Sequence, residues 1–168
     1  MFRTRLEGVL QKQLEVFQDH RGAFVELFNE DCWAYTIRFV QDDVSISEKG
    51  VLRGIHGDSA TWKLACCLHG LLYAVVVDCR KEKNTFGQWQ SFVLVGPEVG
   101  IPQQLLIPPN FGLGHLVLSN QAIFHYKQST SYGEYPQFTY RWDDPRFGIS
   151  WPISNPILSE RDKRGAAL

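Results

Sequence analysis

The sequence predicts an all-β protein, built as a closed barrel or a sandwich of many short strands. The 168-residue chain is dominated by short β-branched and aromatic runs that are separated by Gly, Pro, Asn or Asp. Aromatic residues make up 13% of it, which suits strands that line a cavity. Helical signals are confined to a turn near Asn29–Cys32 and to the tail Ser159–Ala167. Short strands at this spacing favour a sandwich or barrel with few, short helices.

The candidate strands follow one another with short connections. They are Gln13–Phe17, Ala23–Leu27, Ala34–Phe39, Asp43–Ile46, Val51–Ile55, Lys63–Leu68, Leu71–Asp78, Gln88–Val95, Gln104–Ile107, Gly114–Leu118 and Ala122–Gln128. Only His69 and Gly70 separate Lys63–Leu68 from Leu71–Asp78, which predicts a tight hairpin. Because the chain has no internal repeat, low-complexity tract or linker, we expect one domain over residues 1–168.

The bulk composition narrows the classes of partner. With 44% apolar and 21% charged residues, the chain has the balance of a soluble globular protein. A net charge of −1 without a basic block argues against nucleic acid as a partner. No apolar run is long enough for a signal peptide or a membrane span, so we expect a cytoplasmic protein without membrane contact. The four cysteines lack zinc-site spacing and are expected to be buried, reduced thiols.

His56 is a candidate general base. It follows the strand Val51–Ile55, whose alternation places Arg53 and Ile55 on one face and Gly54 and His56 on the other. An imidazole has an ordinary pKa near neutrality and can therefore accept a proton under physiological conditions. A histidine at a strand end is nevertheless more often a surface or hydrogen-bonded core residue, and residue type alone favours that interpretation.

Lys63 and Tyr126 are two further polar residues in apolar runs. Lys63 opens the segment KLACCL, where its ammonium either reaches the rim or points inward to stabilise an oxyanion. Tyr126 lies in AIFHYKQ, with His125 and Lys127 on the opposite face. An inward tyrosine needs a partner for its hydroxyl, and a core tyrosine is the commoner explanation.

A series of motifs identifies a family. In order they are Asp19–Glu26 (DHRGAFVE), Phe39–Asp42 (FVQD), Val51–His56 (VLRGIH), Thr85–Trp89 (TFGQW), Ile107–Pro109 (IPP), Arg141–Pro145 (RWDDP), Gly148–Pro152 (GISWP) and Pro156–Asp162 (PILSERD). From about Val16 to Asp162 the chain resembles the dTDP-4-dehydrorhamnose 3,5-epimerase family. The resemblance implies a cupin-type jelly-roll β-barrel that works as a homodimer, exchanges N-terminal strands and uses no metal or other cofactor.

The resemblance also implies a reaction and the residues that perform it. The reaction is epimerisation at C3, C5 or both of a nucleotide-linked 4-keto-6-deoxy sugar through an enolate, in deoxysugar biosynthesis for cell-surface polysaccharide. His56 matches the family's base and Asp162 the carboxylate that orients it. Tyr126 matches the acid on the opposite face, and Lys63 matches the cation beside the C4 ketone oxygen.

Substrate-binding positions follow from the same comparison. Arg53 and Gln41 match contacts to the diphosphate, and Tyr132 matches an aromatic residue that flanks the sugar. Residues of the Asp19–Glu26 motif are expected to serve the neighbouring subunit's nucleotide, namely Arg21, Phe24 and Glu26.

The chain departs from the usual family pattern beside the ketone. Leu113 stands at the position of the usual His, and His115 lies two residues on along the same face, about 6–7 Å away, where it can take over part of that role. Asp43 replaces the typical Asn, and Asp58 is unusual in its loop. The forms G-I-H-G-D at 54–58 and P-N-x-G at 109–112 resemble a branch associated with GDP-linked heptose epimerases of capsule pathways. The nucleotide is therefore dTDP or GDP, and the sugar a hexose or heptose.

Two other functions compete with epimerisation. A metal-dependent cupin, such as a dioxygenase or an isomerase, usually shows an H-x-H pair on one strand. This chain has no such pair, although His56 and Asp58 could donate two ligands. A non-catalytic sugar-nucleotide binding protein has no need of an acid and a base on opposite faces of its ligand.

Overall fold

The computed structural model describes residues 2–33 and 36–165. Within those ranges the chain is built almost entirely of strands: β1 (Phe2–Arg3), β2 (Leu10–Gln13), β3 (Val16–Asp19), β4 (Gly22–Val25), β5 (Gln41–Glu48), β6 (Leu52–Gly57), β7 (Lys63–His69), β8 (Leu71–Asp78), β9 (Trp89–Val95), β10 (Gln103–Ile107), β11 (Phe111–Val117), β12 (Gln121–Gln128) and β13 (Phe138–Thr139). A 3₁₀ turn at Glu30–Cys32 and the helix α1 (Glu160–Arg164) complete the description. The all-β prediction is confirmed.

The strands form two facing sheets and a separate hairpin. One sheet has the order β1-β2-β10-β7-β12-β5 and the other the order β13-β6-β11-β8-β9, while among the described strands β3 pairs only with β4. Neighbouring strands within each sheet run antiparallel. This arrangement is the jelly roll that the resemblance implied. Its core joins Ala65, Leu105 and Phe124 of the first sheet to Leu72 and Val76 of the second, and burying each such leucine contributes about 1.5–3 kcal/mol.

Alternation along β12 distributes side chains as the sequence predicted, and β7 follows the same pattern. Phe124 lies in the core, whereas the neighbouring His125 and Lys127 both contact Asp42 at 2.8 Å on the outer face. Cys67 faces the core, while the Cys66 sulfur lies 3.6 Å from Nδ1 of His125.

The thiols of Cys66, Cys67 and Cys79 are free and buried, as predicted. Burial raises the pKa of each to about 12, so these side chains behave as core residues rather than nucleophiles. The side chain of Cys32 lies outside the described part of the structure.

The predicted hairpin at His69-Gly70 is wrong. β7 pairs with β10 and β12, whereas β8 pairs with β9 and β11 in the other sheet. The two residues therefore carry the chain from one sheet to the other. Gly70 permits the crossing because its φ is +80° and an added Cβ would meet the carbonyl oxygen of Gln121 at 2.3 Å. Adjacent strands in sequence were expected to pair, and a short connection alone does not distinguish pairing from a change of sheet.

Other differences concern element boundaries. The predicted strand Gln13–Phe17 is divided between β2 and β3, and residues 36–39 of the predicted strand Ala34–Phe39 form no strand. Ala34 and Tyr35 lie outside the described residues. The C-terminal helix ends at Arg164, and residues 166 and 167 of the prediction are likewise outside the description. Among the described residues, no helix is long and apolar enough to cross a membrane.

Candidate active site

A cavity of about 280 Å³ opens between the two sheets of the jelly roll. Both sheets, the loop after β12 and helix α1 contribute to its wall. The lining residues are Ser45, Arg53, His56, Lys63, Leu113, His115, Phe124, Tyr126, Gln128, Tyr132, Gln137, Ser159, Arg161 and Asp162. All four predicted catalytic residues belong to this set, as do the predicted binding residues Arg53, His115 and Tyr132.

The prediction that Arg53 and His56 occupy opposite faces of their strand is wrong, since both side chains line the cavity. In the pairing of β6 with β11, His56 lies opposite Leu113 and Arg53 opposite His115, with a register shift between them. Between these two pairs the chain advances by three residues in β6 but by only two in β11. This β-bulge brings the side chains of Arg53 and His56 to the same face.

Gly54 makes the bulge sterically feasible. Its φ is +117°, and a Cβ at this position would lie 2.4 Å from the Cα of Gly114 and 2.6 Å from the carbonyl oxygen of Leu113. Backbone atoms cannot move aside as a flexible side chain can, so only glycine fits this position. The glycine of the Val51–His56 motif thus serves the local backbone geometry that orients His56.

His56 is held by Asp162. Its Nε2 lies 2.6 Å from Oδ1 of Asp162, and the His56 side chain keeps 26% of its surface exposed while that of Asp162 keeps 3%. An ionised carboxylate only accepts hydrogen bonds, so it selects the tautomer that carries the proton on Nε2. The lone pair then sits on Nδ1, which is the nitrogen left to act as a base in the cavity.

Asp162 is in turn fixed by the start of helix α1. Ser159, the N-cap, donates its hydroxyl to Oδ2 at 2.7 Å, and the Gly54 amide approaches Oδ1 at 3.4 Å. Burial alone raises the pKa of Asp162, but the hydrogen bonds from His56 and Ser159 together outweigh it, so this pKa lies below its usual range. The carboxylate is therefore ionised at neutral pH and favours the imidazolium that forms when His56 takes a proton.

Lys63 points into the cavity instead of reaching the rim. Only 7% of the residue is exposed, and its Nζ approaches the carbonyl oxygen of His56 at 3.5 Å. Burial lowers the pKa of Lys63; the charge of Asp58 opposes this shift and that of Arg161 adds to it. Asp58 is itself held by the amides of Ala60 and Thr61 at 2.9 and 2.7 Å. A cation without a direct ion pair among the described residues is available to an anionic ligand.

Tyr126 enters the cavity from the wall opposite His56. Tyr126 belongs to β12 of one sheet, whereas His56 belongs to β6 of the other. Burial, with smaller contributions from Asp43 and Tyr132, raises the pKa of Tyr126 to about 12, so the phenol keeps its proton at neutral pH. The imidazole of His56 and the protonated phenol of Tyr126 thus line the same cavity from different sheets.

Gln41 positions other residues instead of lining the cavity itself. Its amide nitrogen donates to both carboxylate oxygens of Asp43 at 3.0 Å, and its amide oxygen accepts from the backbone N–H of Tyr132 at 2.7 Å. Gln128 donates to the same Asp43 at 2.6 Å. Gln41 therefore ties the edge strand β5 to the loop that carries Tyr132, whose side chain stands at the mouth of the cavity.

Three predicted binding residues lie elsewhere. Arg21, Phe24 and Glu26 belong to the β3–β4 hairpin and the segment after it, and none lines the cavity of its own chain. Arg21 pairs with Asp19 at 2.5 Å, and Phe24 is 69% exposed with its ring 6.4 Å from that of Phe17.

Several cavity residues were not singled out by sequence reasoning. They are Ser45, Phe124, Gln128, Gln137, Ser159 and Arg161. Ser159 carried a usable signal, because Ser three residues before an acidic residue is a pattern typical of a helix N-cap. Arg161, adjacent to Asp162, donates to Thr139 at 2.8 Å and to Gln137 at 3.0 Å, so it joins helix α1 to β13 and to the loop before it. The remaining positions resemble ordinary strand residues until the two sheets face each other.

The described residues contain no cluster of side chains that could hold the metal ion of a metal-dependent cupin. Across residues 2–33 and 36–165, His, Cys, Asp and Glu side chains nowhere gather in a group of three or more that could hold an ion. His56, the residue considered as a ligand together with Asp58, is instead hydrogen-bonded to Asp162.

Comparisons with known proteins agree with this geometry. The family model of dTDP-4-dehydrorhamnose 3,5-epimerase matches residues 3–168. The chain is 41% identical to the dTDP-4-dehydrorhamnose 3,5-epimerase of Escherichia coli (strain K12), over 98% of this chain and 91% of that protein. It is 30% identical to the dTDP-4-dehydrorhamnose 3-epimerase of Streptomyces niveus, over 97% and 81%.

A solved structure extends the likeness to three dimensions. The dTDP-6-deoxy-D-glucose-3,5-epimerase of Legionella pneumophila, in complex with dTDP-4-keto-L-rhamnose, superposes with a TM-score of 0.88 at 36% identity. The match covers 96% of this chain and 88% of that one. Motif order, jelly-roll topology and full-length similarity lead to one assignment: the chain belongs to the dTDP-4-dehydrorhamnose 3,5-epimerase family.

Proposed function

We propose that this chain epimerises a nucleotide-linked 4-keto-6-deoxy sugar at C3, C5 or both. The observation that carries the proposal is the arrangement of His56 and Tyr126 on opposite walls of one cavity, with the buried cation of Lys63 in the same cavity. Inversion of a carbon requires that a proton leave from one face and return to the other. A base and an acid on facing sheets meet that requirement.

The chemistry follows from the ketone of the substrate. C3 and C5 are both α to the C4 carbonyl, so removing a proton from either carbon gives an enolate. Nδ1 of His56 takes the proton, and Asp162 stabilises the resulting imidazolium. Lys63 stabilises the negative charge on the C4 oxygen. Tyr126 then donates its proton to the carbon from the opposite face, which inverts the configuration without any redox change.

The diphosphate of the substrate is assigned to Arg53. Its Nε donates to Ser47 at 3.1 Å, which orients the guanidinium while leaving its outer nitrogens for phosphate oxygens. Tyr132, 62% exposed at the cavity mouth, offers a face to the sugar or the base. Gln41 contributes through Asp43 and Tyr132 and not by a direct contact of its own.

A homodimer would complete the nucleotide site. Phe24 and Arg21 are exposed on a hairpin that, in the part of the chain that the structure describes, pairs with neither sheet. Val44 and Ile46 on the edge strand β5 are also 56% and 61% exposed, which is typical of a strand covered in an assembly. We assign Arg21, Phe24 and Glu26 to the nucleotide of the neighbouring subunit.

Incubation in D₂O tests the reaction. The dTDP- and GDP-linked 4-keto-6-deoxy sugars, each as hexose and heptose, are supplied separately, and NMR follows deuterium at C3 and C5. We expect exchange and inversion with at least one of them, because the His56–Asp162 pair can deprotonate both carbons α to the ketone. Exchange at one carbon only would define a monoepimerase. Activity that is lost with a chelator and restored by added metal would instead support the alternative function of a metal-dependent cupin enzyme.

Complementation between two inactive variants tests the shared site. A chain with His56→Ala and a chain with Arg21→Ala and Phe24→Ala are each expected to be inactive or weak. In a mixed dimer, one of the two sites combines an intact His56 with an intact hairpin, so refolding an equal mixture should restore roughly one quarter of the wild-type sites. No recovery, despite mixed dimers detected by mass spectrometry, would contradict the assignment of the hairpin to the neighbouring site.

A further inference from the structure

Two buried polar atoms of cavity-lining residues take no part in the proposed reaction. Nε2 of His115 and Oγ of Ser45 are both buried and have no hydrogen-bond partner among the described residues, and both residues line the cavity. His115 is 5% exposed. An unpaired polar group in a protein interior is destabilising, and both residues line the same cavity, so these two atoms point to a group on the ligand.

The two residues flank one aromatic ring. The imidazole of His115 stacks on Phe124 with ring centroids 4.2 Å apart, and Phe124 lies directly opposite Ser45 in the β12–β5 pair. His115 itself lies opposite Arg53, whereas His56 lies opposite Leu113, two residues away along β11. His115 therefore lies beside Arg53 in the sheet, two residues along β11 from the position opposite His56.

The charge state of His115 restricts what it can bind. Burial, followed by the neighbouring charges of Arg53 and His56, lowers the pKa of His115 to about 3, against an opposing effect of Asp162. The ring is therefore neutral at physiological pH and offers one N–H and one lone pair. The Ser45 hydroxyl likewise both donates and accepts. A phosphate group only accepts, and the guanidinium of Arg53 serves it better; a hydroxyl group matches both atoms.

We propose that His115 and Ser45 form a subsite for a hydroxyl group of the sugar at a carbon that does not react. The inference rests on the proposed epimerase function and extends it to the part of the substrate that sets specificity. His115 acts by hydrogen bonding and does not transfer a proton. A sugar that lacks this hydroxyl leaves both polar atoms unpaired. The subsite is therefore expected to select sugars that carry the hydroxyl over their deoxy analogues.

Two variants test this subsite. His115→Phe keeps an aromatic ring against Phe124 and removes both nitrogens, and Ser45→Ala removes the hydroxyl. We expect each to raise KM by about 10-fold, with a smaller change in kcat and no change in the pH at which activity rises or falls. Ser91→Ala, on β9 outside the cavity, is the matched control and should leave KM unchanged. A shifted pH profile in His115→Phe would overturn the proposal, because it would mean that His115 titrates during turnover.

Substrate analogues identify the hydroxyl. Wild type and His115→Phe are compared on the best substrate, on its 2-deoxy analogue, and on the hexose and heptose forms, which differ by the terminal hydroxymethyl group. The difference in KM between the two proteins should vanish for the analogue that lacks the contacted hydroxyl. The subsite would be overturned if KM differed between wild type and His115→Phe by the same factor for every analogue, or if it did not differ for any substrate. Absence of turnover by wild type would instead contradict the epimerase function.

Discussion

Replacing His56 with alanine is expected to abolish solvent deuterium incorporation at C3 and C5 and to lower kcat by about 10²–10⁴-fold. The reason is that His56 is the cavity group held in the tautomer of a base, by its 2.6 Å contact with Asp162. Nucleotide affinity should change little, because Arg53 and Tyr132 remain in place. NMR in D₂O gives the exchange rate, and calorimetry with the nucleoside diphosphate gives the affinity.

Tyr126→Phe is the matched comparison for that variant. It removes the acid from the opposite wall but leaves the base, so we expect deuterium exchange to survive better than net inversion. If Tyr126→Phe slowed deuterium exchange and net inversion equally, Tyr126 would also assist deprotonation. Unchanged exchange in His56→Ala would contradict the assignment of the base.

Replacing Lys63 with methionine is expected to lower kcat/KM by about 10²–10³-fold, which corresponds to about 3–4 kcal/mol of lost oxyanion stabilisation. Methionine retains most of the length and apolar volume of the lysine stem, so the fold should tolerate the change. The enolate would then form without a cation beside its oxygen, and exchange should slow together with inversion. A kcat/KM near that of the wild type would show that another group stabilises the enolate.

The pH dependence of activity provides a second measurement on Lys63. Burial lowers its pKa, so its charge is present at low pH and is lost, as pH rises, earlier than that of an exposed lysine. We therefore expect an alkaline fall in kcat/KM. Lys63→Arg keeps a cation that stays charged, and any activity it retains should persist to higher pH. An alkaline limb at the same pH in both proteins would assign that limb to a different group.

Much of the fold was predictable because its signals are local. β7, β8 and β12 were found from short runs of β-branched and aromatic residues, and their boundaries agree with the structure to within one residue. Two-residue strands such as β1 and β13 are too short for any periodicity and were missed. The pairing of β7 and β8 was predicted wrongly, because the sequence between them permits either a hairpin or a crossing to the other sheet.

The catalytic candidates were predictable only through the resemblance. Taken alone, His56, Lys63 and Tyr126 each had an ordinary structural explanation, and residue type favoured it for His56 and Tyr126. The motif order placed them in one family, and the structure brings them to one cavity together with Asp162, which is 106 residues from His56 in the chain. No local pattern can report a contact over that separation.

The sequence by itself determined the all-β class, the alternation of His125 and Tyr126 and the family motifs, because these depend on local backbone preference or on residue order. The tertiary structure decided the rest. The bulge at Gly54 puts Arg53 and His56 on one face, since an extra residue shifts the register between two strands. The facing of the two sheets places His56 and Tyr126 on opposite walls of the cavity and leaves Nε2 of His115 without a hydrogen-bond partner among the described residues, since burial and opposition arise only when distant strands meet.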